Sequence, residues 1–175
     1  AVMASLFPAV IEAKEKSEII YQKRLQKFYD LMVWGAVAVA LPTTLLADWI
    51  ILILYGVDYQ EAGDVLRIYI WAGVFIFLGV ASFKWLVAEN LQHFSFYLYT
   101  IGSIVNIGCN WFLIPVYGIN GAAFATFVSY GIGSYGGFII FRKSRSNFLM
   151  ATQSFSPYGV YKRFADRELL KNVDG

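Results

Sequence analysis

Residues 106–129 read NIGCNWFLIPVYGINGAAFATFVS. Pro115, Gly118, Asn120 and Gly121 interrupt a run that is otherwise apolar on both sides, and such residues mark turns. Each flank continues as an apolar segment of about 20 residues, the length that crosses a bilayer as helix. The stretch therefore predicts a tight helical hairpin inside a membrane. On one side Gly102, Asn106 and Asn110 recur every four residues; on the other Gly121, Ala125, Ser129, Gly133 and Gly137 do the same. Small residues at this spacing let two helices approach closely, and amides can hydrogen-bond across the seam. In a water-soluble helix each glycine would cost about 1 kcal/mol with no such return.

The whole chain fits that environment. Of its 175 residues 58% are hydrophobic, 18% aromatic and only 15% charged, whereas globular domains carry about a quarter charged residues. An all-α integral membrane protein, a polytopic bundle, is expected. A net charge of +2 gives no footprint for nucleic acid. Four spans are predicted, at about 28–55, 65–87, 94–114 and 119–141, and Gly35 and Pro42 predict a tilt or kink in the first. Residues 1–11 read as the end of a further apolar helix, without a basic leader and cleavage site, which suggests the C-terminal part of a longer protein. Residues 12–27 mix charge with Ile19, Ile20 and Leu25 and predict an amphipathic surface helix.

Loop charge orients the spans, because basic loops stay in the cytoplasm. Lys14, Lys16, Lys23, Arg24 and Lys27 precede the first span, Asp58, Glu61 and Asp64 follow it, and Arg142, Lys143 and Arg145 follow the last. The expected localisation is a plasma membrane crossed several times, with lipid as first partner and the C-terminal tail, 142–175, cytoplasmic. Its part from Ser154 to Gly175 either lies on the anionic leaflet or hangs as a loose end.

No catalytic constellation or cofactor site is visible, and no enzyme is expected. His93 and Cys109 are each the only residue of their type and sit in different surroundings, so neither a nucleophile–base pair nor a metal ligand set can be assembled. The acidic group Asp58, Glu61 and Asp64 reads as solvated loop charge rather than a metal site. Ionisable residues within spans are costly and usually functional. Asp48 is the candidate for cation or proton coupling, with a hydrogen bond to a neighbouring helix as the plain alternative. Lys84 is the candidate for attracting an anionic substrate, although a lysine near a helix end can also snorkel to the interface. Gly102, Asn106, Asn110, Gly121, Ala125, Ser129 and Gly133 are expected to pack the hairpin.

The order of FPAVIEAK at Phe7 to Lys14, LYGVDYQEA at Leu54 to Ala62, VLRI at Val65 to Ile68, WLVAEN at Trp85 to Asn90 and the block from Asn106 to Thr126 resembles the C-terminal part of bacterial polysaccharide flippases. These are the O-antigen repeat-unit translocases of the multidrug/oligosaccharidyl-lipid/polysaccharide exporter superfamily. The resemblance implies part of the second of two six-helix lobes around a central cavity, with the N-terminal lobe as its missing partner. It implies translocation of an undecaprenyl-diphosphate-linked oligosaccharide across the bacterial inner membrane. A cation-coupled multidrug exporter of the same superfamily, a membrane-embedded transferase or polymerase, and a structural membrane subunit are the alternatives.

Overall fold

The structure, a computed structural model, describes residues 10–171, with side chains through 165. The expected helix end at 1–11 therefore lies outside the described residues except for its last two positions, which open a helical stretch over 10–16. Among the described residues all regular structure is helical. It comprises α1 (Glu18–Tyr55), α2 (Ala62–Ala88), α3 (His93–Ser134), α4 (Arg145–Ser154) and α5 (Pro157–Lys171), with 3-10 turns at Val57–Tyr59, Gly136–Ile139 and Arg142–Ser144. Three helical stretches, Glu18–Tyr55, Ala62–Ala88 and His93–Ile139, are long and apolar enough to cross a membrane.

α1 and α2 run antiparallel. As α1 advances, its partners on α2 recede: Tyr21 hydrogen-bonds Glu89 just past the end of α2, Tyr29 meets Ser82, and Asp48 pairs with Arg67. A buried stripe at helical spacing, Tyr21, Leu25, Tyr29, Val33, Ala36 and Ala40, carries α1 along this seam. Large buried side chains gather at one end of the bundle, where Leu78, Trp85, Leu86, Leu98 and Phe138 join them. Towards the other end the seams close on small residues, Ala47, Ala72, Ala123 and Ala125. The outer faces are the reverse of a soluble protein's, with Leu45, Trp49, Ile53, Trp111 and Phe112 at least 66% exposed. That pattern suits lipid rather than water.

α1 departs from the expected boundaries. The chain breaks only at Ser17, whose φ of −166° and ψ of 128° are extended, and the helix then runs 38 residues without interruption through Gly35 and Pro42. At 1.5 Å per residue it is about 57 Å long, nearly twice the roughly 30 Å of hydrocarbon. The segment expected to lie separately on the surface, 18–27, is thus the lower part of the same rod. Lys14 fixes the stretch before it, donating to the Ala88 carbonyl oxygen at 2.5 Å and pairing with Glu89 at 3.0 Å, a cation at the C-terminus of α2.

α3 is two limbs, 93–117 and 119–134, folded back on each other. The turn is a single residue: Gly118 has φ 55° and ψ −135°, a conformation that a side chain strains. This is tighter than the expected loop. The second limb also ends at Ser134, well short of 141, and passes through 3-10 turns into α4. The tail is held to the bundle through α4, whose Asn147, Met150, Ala151 and Ser154 are buried, and through α5, whose Arg163 pairs with Asp30.

Candidate functional site

The two limbs meet along the small residues that recur in their sequences. A Cβ on Gly102 would lie 3.3 Å from the Ser129 carbonyl oxygen and 3.5 Å from the Gly133 Cα, and one on Gly121 would overlap the Leu113 carbonyl oxygen. Gly121, Ala125, Ser129 and Gly133 are buried, as is Gly102 opposite them. Asn106 donates to the Ser129 hydroxyl at 3.3 Å, and Asn110 donates to the Asn106 side-chain oxygen at 3.0 Å. The Asn110 and Asn120 side-chain oxygens are buried without a hydrogen-bond donor, and such groups carry a desolvation cost.

This seam opens outward as a groove of about 560 Å³ lined by Tyr99, Ser103, Asn106, Thr126, Ser129 and Tyr130 among others. The hydroxyls of Ser103, Thr126 and Ser129 each donate to a carbonyl on their own helix, at Tyr99, Ala122 and Thr126 respectively, all at 2.9 Å. The lone pairs of Ser103 and Thr126 remain available as acceptors, while Ser129 already accepts from Asn106. No charged side chain lines the groove. It is a neutral, hydroxyl-rich surface with two tyrosines, halfway along an otherwise apolar hairpin.

The ionisable candidates lie elsewhere. Asp48 is not enclosed: its side chain is 66% exposed, and it shares the Arg67 guanidinium with Asp64, which accepts from Arg67 at 2.7 Å. The three residues border a second groove with Trp49, Leu52 and Gln60. The Gly63 Cα sits against Asp48, since a Cβ there would fall 2.5 Å from a carboxylate oxygen. Lys84 is half-buried one turn before the end of α2, remote from Asp48 along the bundle and not among the residues lining the hairpin groove. Among the described residues no three His, Cys, Asp or Glu side chains gather as metal ligands. At the basic end Lys16 beside Glu12 holds that carboxyl below its usual range.

Sequence reasoning passed over the most enclosed charge. Asp30 is fully buried, and its two carboxylate oxygens accept from Arg163 Nε at 2.7 Å and Nη2 at 2.9 Å. Gln26 donates to Asp30, to the Met150 carbonyl and to the Ser154 hydroxyl, and Trp34 Nε1 donates to the Ser154 carbonyl at 2.9 Å. A second chain of polar groups, Tyr29 to Ser82 to Asn147, ties α1, α2 and α4. The available signal was an acidic residue just inside the start of a predicted span. Its partner lies 133 positions away, which no local pattern reveals.

Comparison with protein-family models, with curated proteins and with solved structures finds no match.

Proposed function

We propose that this chain is the C-terminal part of a polytopic membrane transporter that flips undecaprenyl-diphosphate-linked oligosaccharide repeat units across the bacterial inner membrane. Two supports come from different levels. The order of motifs between Phe7 and Arg142 resembles polysaccharide flippases, and the hairpin presents an uncharged groove in which hydroxyl and amide groups are set among apolar ones. The groove carries the reading. A hydroxyl- and amide-rich surface at mid-depth costs free energy against hydrocarbon, so it belongs against water, a polar cargo or the remainder of the transporter. Neutral acceptors and tyrosine rings match sugar hydroxyls. The diphosphate would be met by cations outside the groove, with Lys84 the candidate. The four helical passes, up and down, place the basic segments 14–27 and 142–145 at one end, which the positive-inside rule assigns to the cytoplasm.

A cation-coupled drug exporter remains the second reading, with Asp48 as its coupling residue. The exposed pairing of Asp48 with Arg67 and its distance from the groove weigh against it. The test is a full-length transporter carrying Ser103→Leu and Thr126→Val, whose hydroxyls make only local bonds, alongside Asp48→Asn and Lys84→Gln. The flippase reading expects surface polysaccharide to fall with the groove and Lys84 variants while Asp48→Asn exports normally. Unchanged polysaccharide in the groove variants, with drug sensitivity in Asp48→Asn, would reverse the assignment.

A further inference from the structure

α4 and α5 pack against residues 26–34 of α1 through the Gln26, Asp30 and Trp34 contacts. About 20 residues suffice to cross the hydrocarbon, and the stretch from Ala36 to Tyr55 supplies them. The two tail helices therefore sit at the level of the lipid headgroups. Arg163 turns inward to Asp30 and fixes how α5 rolls. Tyr158, Tyr161 and Lys162 then face outward, the two tyrosines 76% and 74% exposed. Just upstream, the 3-10 turn Arg142–Ser144 and the first residue of α4 present Arg142, Lys143 and Arg145 on the surface. Ser144 is fully buried and donates to the carbonyls of Phe138 and Phe141, which holds that turn in place. Between 139 and 165 the sequence contains no Asp or Glu, and the last turns of α5 then carry Asp166 and Glu168 beside Arg167 and Lys171; in 12–27 Glu12, Glu15 and Glu18 interleave with the bases throughout.

We infer that α4, α5 and the basic turn before them form a binding surface for anionic phospholipid headgroups. Basic residues clustered beside a membrane span attract anionic lipid, and tyrosine prefers the headgroup layer. The surface combines both on a scaffold that a buried ion pair orients. It depends on the bundle crossing a bilayer, not on what the transporter carries.

The experiment places the purified protein in nanodiscs of mixed phosphatidylcholine and phosphatidylglycerol and measures the lipid retained by native mass spectrometry. Phosphatidylglycerol should be enriched over the starting mixture. Replacing Arg142, Lys143 and Arg145 by glutamine should lower the enrichment, roughly fivefold for each base near the surface, equivalent to ~1 kcal/mol. Lys16→Gln with Lys23→Gln should leave it in place. Amide hydrogen exchange of α4 reports whether it remains docked; should the triple variant lose that protection, the outward Lys162→Gln is read in its place. No enrichment in the unaltered protein, equal loss in the Lys16/Lys23 variant, no loss on removing the patch bases, or displacement by inorganic phosphate at matched concentration would each overturn the assignment.

Discussion

Asp30 has no exposure to solvent, while the Arg163 side chain that faces it is 26% exposed. A buried carboxylate is tolerated only when its oxygens are occupied, and here Gln26 and the guanidinium occupy them. Arg163→Ala should destabilise the protein by about 3 kcal/mol, the lower end for breaking a buried pair because part of the arginine already meets solvent. Asp30→Leu combined with Arg163→Met should recover most of that loss, since a well-packed apolar pair avoids the desolvation cost. Thermal unfolding of the purified protein in detergent measures both; equal damage in the single and double variants would show that the charges themselves matter little. Asp48 differs in kind. It lies on the outside of the bundle and shares the Arg67 guanidinium with Asp64. The sequence singled out Asp48 because it lies deep in an apolar run and passed over Asp30 because it lies near the start of one. Burial is decided by what packs alongside, and the helix that covers Asp30 comes from a tail whose polar composition signalled no packing.

At the scale of the elements, the hairpin was the most legible part. The four-residue spacing of Gly102, Asn106, Ser129 and Gly133 encodes a seam, and those residues face one another in the structure. The turn was less so: Pro115, Gly118, Asn120 and Gly121 all signal a break, yet Gly118 alone leaves helical geometry. Its positive φ makes a distinct expectation. Gly118→Ala should cost about 1–3 kcal/mol from backbone strain, whereas Gly108→Ala, with nothing within 4 Å of the added methyl, should be neutral or stabilise by up to about 1 kcal/mol through helix propensity. Detergent melting temperatures of the two variants compare them directly; a stabilised Gly118→Ala would mean that the limbs do not fold back there. The continuous α1 escaped the sequence because its charged lower third has the composition of a surface helix. Nothing in a charge pattern distinguishes a helix lying flat from one standing upright against α2 and α4.

For the whole molecule, hydropathy identified the helices that can cross a membrane, and antiparallel packing then follows from short connections. Both basic segments meet at one end, with the acidic loop 58–64 at the other, so charge asymmetry and topology agree. The position of the tail was not legible, because its packing runs through single long-range contacts at Ser82, Ser154 and Arg163. An uncharged groove, a basic end clad by two short helices and an apolar exterior support the proposal that this bundle sits beside a further set of helices around a polar path. The measurement that reaches this reading most directly removes the gene from cells and assays the leaflet in which the lipid-linked oligosaccharide resides. The expected result is accumulation in the cytoplasmic leaflet with loss of surface polysaccharide, restored by the intact gene; normal surface polysaccharide and no accumulated intermediate would contradict it.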